Sequence, residues 1–383
     1  MQFKQRPGRP GNKEVFGMIG QLAAVFNIAV CIGIPLGALV WLALRRRTGV
    51  KVFLLGAAGF FVSQMLVRQP LLALLGQTDG YRLFTAAHPV AQALFLALTA
   101  GLAEETARYL VFCLLARNKQ PERGTPLWYG LGHGGLEAVL VGLNSVVLLA
   151  AAPETLAAAG GSVALAGVER IAAMMAQVAL SFVAYCALRH RGFLLWAILL
   201  HGLYDFCIVL QLLGLTPLAL EGVMMVFSLL LLAGAVRLWK GGRLHKKAQG
   251  VAGLLLAGAL VAVAVPAAAT ARGGTLPGWA EAGAVQAQAR EVIGLMNAGD
   301  YEGVAARCTD PNATAELFRQ GGATVTAMGG FQGYGGAVYA AGMLPDGRQY
   351  AMVYQVADYE YGKLTYTVNL LEDGSVTGFF VRA

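Results

Sequence analysis

Charge is what this chain has least of. Asp, Glu, Lys and Arg together make up 13% of its 383 residues, whereas a soluble domain carries roughly a quarter. With 57% hydrophobic residues, that deficit excludes an ordinary soluble globule and points to the membrane class. Cysteine is sparse as well, with Cys31, Cys113, Cys186, Cys207 and Cys308 the whole complement. Four of these lie inside apolar runs and no CxxC occurs, so neither a disulfide framework nor a thiolate metal site is supported. HExxH and GxSxG are both missing, which removes the zincin helix and the serine elbow. The net charge of +8 is spread in short basic clusters between apolar runs. That is the pattern of membrane topology rather than of nucleic-acid binding.

About eight runs reach the length needed to cross a bilayer, roughly 20 residues each. They cover 16–44, 50–68, 89–116, 126–151, 168–188, 193–213, 219–239 and 250–270. The second is the weakest, because Ser63 and Gln64 interrupt it. The first run is far longer than the core of a cleavable signal, so it reads as a membrane span. Basic residues follow every other run: Arg45, Arg46, Arg47 and Lys51, then Arg117, Lys119 and Arg123, then Arg189 and Arg191, then Arg237, Lys240, Arg243, Lys246 and Lys247. The opposite loops hold few, with Arg82 the clear case. The positive-inside rule makes the basic side cytoplasmic and places both termini outside. The basic tail of Lys4, Arg6, Arg9 and Lys13 pulls the other way.

The chain divides by composition into a membrane domain over 1–270, a Gly/Pro linker over 271–280 and a soluble module over 281–383. The module begins with an amphipathic helix, a turn at Asn297–Asp300 and a second short helix. Four strand-like stretches follow, separated by the turn signals PDG and EDG. The predicted fold class is therefore an all-α membrane bundle with a small α+β domain, extracytoplasmic by the topology above.

Three polar clusters break the apolar runs. Glu104, Glu105 and Arg108 form the first, His133 and Glu137 the second, His201 and Asp205 the third. Arg108 stands four residues after Glu104 and three after Glu105, Glu137 four after His133 and Asp205 four after His201, so each of these pairs shares a helix face. A charge in lipid costs at least a few kcal/mol, so these faces should turn inward. Counting from Arg117, Arg123 and Arg191 puts the three clusters at a similar depth, roughly 15–20 Å from the basic side. Gly130, Gly132, Gly134 and Gly135 flank His133, giving close helix approach or room for water and substrate.

Paired carboxylates, an arginine and two histidines make a kit for hydrolysis without a covalent nucleophile. One carboxyl of an adjacent pair can act as base toward water and acid toward a leaving amine. Arg108 can hold the other ionised. A histidine can orient water or stabilise an oxyanion, and a carboxylate one turn on can set its tautomer. A zinc ion on His133, His201 and Glu104 is an open alternative, since two His and one Glu form a known zinc set. The plain alternative for each cluster is an interhelical ion pair or hydrogen bond. Glu169, Arg170 and Glu221 stand at predicted span starts and read as topological, while His88, His190 and His245 read as interfacial. Tyr204–Asp205 matches half of the aspartyl intramembrane protease signature, but its GxGD partner is absent from the spans.

The order EExxR, HGGxE and HxxxD across these spans resembles the YhfC family of intramembrane peptidases. That family is similar to the PrsW and type II CAAX prenyl endopeptidase group of glutamic intramembrane proteases. The resemblance covers about residues 15–240. It implies that Glu104 activates water, with Glu105 and Arg108 in support, that His133 assists, and that His201 and Asp205 form the last motif. Two departures bear on substrate: Asp205 replaces an Asn, and HGGLE stands where the prenyl enzymes have FxxxH. The C-terminal module resembles the small domain DUF3887, with its helix–NAGDY–helix opening, and would bind a peptide or a cell-envelope ligand. The expected function is cleavage of a membrane-embedded or membrane-adjacent peptide bond. A proton-coupled transporter and a non-catalytic sensor are the rivals; the absence of repeated halves speaks against the transporter.

Overall fold

In a computed structural model, residues 10–118, 124–212, 214–240 and 275–383 are described. Among them six helices are long and apolar enough to cross a bilayer, or seven if one sharply bent pair counts as a span. The first crossing is α1 (Pro10–Ile28) and α2 (Ile34–Arg45), joined by a π-type turn over Ala29–Gly33. The second is α3 (Arg47–Phe60), a wider π segment over Phe61–Arg68, and α4 (Gln69–Leu75). A short helix α5 (Asp79–Ala87) turns at His88 into α6 (Pro89–Arg117). Then come α7 (Thr125–Ala151), α8 (Pro153–Ala159), α9 (Ser162–Cys186), α10 (Gly192–Phe206), α11 (Val209–Leu212) and α12 (Pro217–Trp239). The run at 250–270 lies outside the described residues.

Two compact units emerge. The described residues up to Pro70 and from Ala93 onward through the spans form one; Leu71–Gln92 and the C-terminal region form the other. In the first unit the usual polarity of a soluble protein is inverted. Leu22, Leu44, Leu66, Leu114 and Leu230 face outward, whereas Gln64, Glu104, Glu105, Arg108, His133, Gln177 and His201 are buried. Only lipid suits such an exterior, and in lipid close packing rather than hydrophobicity holds helices together. Glycine supplies that packing. A Cβ on Gly132 would lie 1.9 Å from the Phe53 carbonyl oxygen, and one on Gly56 would lie 2.1 Å from the Tyr129 carbonyl oxygen. Helices α3 and α7 therefore touch backbone to backbone. The glycines around His133 thus serve helix approach; the space beside them is filled by α3 and α9 rather than by solvent.

The second unit contains α13 (Ala282–Asn297), α14 (Tyr301–Arg307), α15 (Ala315–Ala327) and strands β1 (Phe331–Met343), β2 (Gln349–Tyr359), β3 (Gly362–Leu370) and β4 (Val376–Arg382). Side chains cap each helix: Glu281 accepts from the Gly283 and Ala284 N–H groups, Asp300 from Gly303, and Thr314 from Leu317. The strands form an antiparallel meander in sequence order. Gly347 (φ +87°) and Gly374 (φ +79°) close the PDG and EDG turns in the left-handed region. Helix α15 was not expected; its Gly321–Gly322 and Thr324 look like loop or strand.

The sheet is covered on both faces. Val285, Val292, Ile293, Phe318 and Val325 of the C-terminal helices pack on one side. On the other, Leu83 of α5 meets Val338, Tyr354 and Val356. The Asp79 carboxylate accepts from the Gly336 N–H at 2.7 Å and the Lys363 ammonium at 2.9 Å. Lys363 also donates to Asp358 at 2.6 Å. A loop helix from the membrane-spanning part of the chain thus completes the C-terminal sheet.

Two outcomes follow from this packing. Gly132→Val should lower thermal stability in detergent by at least the roughly 1–3 kcal/mol typical of overpacking, whereas Gly37→Ala, which meets nothing within 4 Å, should leave it unchanged. The hydrogen bonds from Lys363 to Asp358 and Asp79 raise its pKa, so its contribution is present at neutral pH and is lost as pH rises through that elevated value. Thermal stability of the wild type should therefore decline above the ordinary lysine range, near 10.4. Lys363→Met should start lower at pH 7 and lack that decline.

Candidate active site

Helix α6 brings Glu104, Glu105 and Arg108 to one face, and all are essentially inaccessible, at 4%, 0% and 0% exposure. Helix α7 contributes His133 and α10 contributes His201. The structure brings these five together around Glu104. His133 Nε2 lies 2.7 Å from Glu104 Oε2, and His201 Nε2 lies 3.7 Å from the same oxygen. His201 Nδ1 lies 2.8 Å from Glu105 Oε1, and Arg108 Nη1 lies 3.2 Å from that atom. The two carboxylates of the pair are thus divided in task. Glu104 meets both imidazoles, whereas Glu105 binds the arginine and fixes one ring of the two.

Asp205 stands at the edge of this cluster. Its Oδ2 is 3.5 Å from His201 Nε2 and its side chain is 37% exposed. Glu105, not Asp205, makes the short bond that orients His201. Glu137 makes no hydrogen bond to His133 among the described residues. Its carboxylate accepts from Arg170 Nη1 at 2.7 Å and from Gln177 Nε2 at 3.3 Å. The expected tautomer-setting role of Glu137 is therefore overturned, because an arginine on the neighbouring helix is the stronger partner for a carboxylate. His133 Nδ1 is buried without a hydrogen-bond partner among the described residues. The ring itself packs edge-on to Phe60, with centroids 5.3 Å apart.

Residues the sequence reading passed over complete the site. Gln64, in the π segment, donates to Glu104 Oε1. Gln177 on α9 donates to Glu104 Oε2 at 3.2 Å. Glu169 and Arg170 were expected to mark a span boundary. Helix α9 begins at Ser162 instead, which carries both residues a turn or more inside, where Arg170 bridges Glu169 and Glu137. Glu221 does lie near the start of its span, and it also lines a cavity of about 330 Å³ together with Glu137, Arg170, Gln177, His201 and Asp205. The apolar side of that cavity is formed by Leu180, Leu220 and Met224. Only a charge or amide in an apolar run hinted at these residues; their partners lie on other helices.

The donor set can be tested for a metal. Among the described residues no His, Cys, Asp or Glu group is already arranged as a metal site. The donor types nevertheless fit. His201 carries a carboxylate on Nδ1, as metal-bound histidines do, and its Nε2 faces two further carboxylate oxygens, on Glu104 and Asp205. A neutral ring with its proton on Nδ1 would aim a lone pair at those oxygens, so a proton or a cation has to lie between them.

A family model described as YhfC intramembrane metalloprotease matches residues 29–161, a stretch that contains the Glu104 and His133 motifs. An uncharacterized membrane protein YhfC of Bacillus subtilis (strain 168) is 30% identical over 224 residues, which cover 50% of this chain and 86% of that relative. No solved structure matches.

Arg108 is the buried positive charge paired with the Glu105 carboxylate. Arg108→Met should cost about 3–5 kcal/mol, the range for stripping one partner from a buried ion pair, read as a large fall in the detergent melting temperature. Glu221→Gln, at the cavity wall, should leave that temperature nearly unchanged.

Proposed function

The chain belongs to the YhfC family, and on that premise we propose that it is an intramembrane peptidase whose reacting water is activated at Glu104. The observation that carries this reading is the convergence of His133 Nε2 and His201 Nε2 on Glu104 Oε2, beside a cavity lined by His201 and Asp205. A peptide segment unwound from its helix would enter that cavity with its carbonyl carbon toward Glu104.

The chemistry is a direct attack by water. Glu104 takes a proton as the water oxygen bonds to the carbonyl carbon. The oxygen of the tetrahedral adduct becomes negative and is stabilised by His201 when protonated. The adduct then collapses, the C–N bond breaks, and the proton on Glu104 passes to the departing nitrogen. The products are a carboxylic acid and an amine, and the acid's proton then passes to the amine to leave carboxylate and ammonium. Glu105 and Arg108 keep the His201 ring aligned throughout, so a misplaced ring is the expected result of losing either.

The family description adds a metal reading. His133, His201 and Glu104 would hold the ion, with Asp205 close by. A bound zinc would act as a Lewis acid and lower the pKa of its water. A Glu104 engaged in binding metal would not serve as base, so the two readings differ in their response to chelator.

An extracytoplasmic C-terminal domain is part of the proposal. Its support is that α5, which packs on the sheet, belongs to a loop with few Lys and Arg residues. The domain would bind a peptide or cell-envelope ligand.

The test is cleavage of a membrane-peptide library by the full chain in proteoliposomes. Glu104→Gln and His133→Ala should each lower the rate by roughly 10²–10⁴-fold, the worth of a positioned acid or base, with membrane insertion retained. Full activity in both would defeat the assignment. Loss of activity in 1,10-phenanthroline, restored by zinc, would establish the metal reading over the metal-free one.

A further inference from the structure

We propose that Gln64 and Gln177 are positioning residues for Glu104, each holding one of its carboxylate oxygens through an amide whose orientation an arginine sets. The inference rests on the reading of Glu104 as the centre of the site and names two residues that reading does not require. The geometry is paired. On one side, Arg68 Nη1 donates to Gln64 Oε1 at 3.0 Å, and Gln64 Nε2 donates to Glu104 Oε1. On the other, Arg108 Nη2 donates to Gln177 Oε1, and Gln177 Nε2 donates to Glu104 Oε2 at 3.2 Å.

A glutamine amide has one accepting oxygen and one donating nitrogen, and a guanidinium only donates. An arginine beside the amide therefore captures its oxygen and turns the NH₂ group away. In both arms the NH₂ group then faces Glu104. Each arginine is itself anchored. Arg68 donates to the Leu96 carbonyl at 2.7 Å and to Thr99 Oγ1 at 3.3 Å, both on the helix that carries Glu104. Arg108 donates to the Gln177 carbonyl at 3.3 Å and to Glu105. The result is a carboxylate gripped at both oxygens by donors that cannot flip, with His133 as a third.

Burial fits this role. Gln64 and Gln177 are each 6% exposed, so an amide left unsatisfied there would be costly. Gln64 also sits inside the π segment of the second crossing, a distortion that recurs at functional sites. A catalytic carboxylate must be held to within a fraction of an ångström, and that precision comes from the groups behind it.

The test uses the full chain in proteoliposomes and reads kcat and KM separately. Gln64→Met and Gln177→Met keep side-chain length and remove the donors. Each should lower kcat by roughly 10–100-fold, the usual effect of losing an orienting partner, with KM within about twofold. Gln64→Asn, which keeps an amide but withdraws it by one methylene, should do the same if the methionine variants fail to fold. Arg68→Met should lower kcat in the wild type and do clearly less in the Gln64→Met background, since the arginine reaches Glu104 through that amide. Unchanged kcat in the glutamine variants, or effects of Arg68→Met and Gln64→Met that multiply, would overturn the inference. If the wild type cleaves no peptide, the peptidase reading fails on its own. The same relay is then read in thermal unfolding, where Gln64→Met and Glu104→Gln should be strongly non-additive; additivity there would overturn the inference.

Discussion

A carboxylate inside a helical bundle has nowhere to spread its charge except onto the groups that touch it. Glu104 is the case on which this membrane domain turns. It accepts from Gln64, Gln177 and His133, and faces His201. Those four side chains come from four different helical segments, so the charge of one residue ties together the second crossing, α7, α9 and α10 around α6. Arg108 does the same for Glu105 from within a single helix and across to Gln177. Breaking any such link exposes a buried charge to low dielectric, which costs far more than the bond is worth in water. The polar centre therefore shapes the bundle as much as the bundle shelters it. Glycine makes the arrangement feasible, since α3 and α7 approach through Gly56 and Gly132 with no side chain between them.

The charged members of this centre were legible in the sequence. Glu104, Glu105, Arg108, His133 and His201 stand out because ionisable groups in apolar runs are expensive. Spacing placed each cluster on one helix face, and the structure brings the faces of α6, α7 and α10 together. Spacing could not say which helix each face would meet. Glu137 was paired with His133 because they lie one turn apart, yet its carboxylate reaches Arg170 on α9, where a guanidinium competes better than a neutral ring. Arg170 and Glu169 were misread because the start of α9 was put at 168; Ser162 and the small apolar residues after it extend the helix without a strong start signal. Gln64 and Gln177 were passed over because an uncharged amide is tolerated in a span and gives no hint of what it will bond.

The C-terminal region shows a similar division. Its two opening helices were readable from amphipathic spacing, and its four strands from strand-like stretches set apart by PDG and EDG. Helix α15 and helix α5 were not. The first has a glycine pair and threonines that suit a strand or loop. The second is nine residues long and gains its stability from the sheet rather than from its own propensity. Its contact through Leu83, Asp79 and Lys363 makes part of the loop between the second crossing and α6 a structural member of the C-terminal domain. Helix α6 begins two residues after that member ends.

The most direct measurement of the central claim is mass spectrometry of peptides incubated with the reconstituted chain in oxygen-18 water under single-turnover conditions. Water activated at Glu104 predicts one heavy oxygen in the new C-terminal carboxylate of each cleaved peptide, and roughly 10²–10⁴-fold slower product formation from Glu104→Gln. Wild-type product levels from Glu104→Gln, or a wild type that leaves every membrane peptide intact, would contradict it.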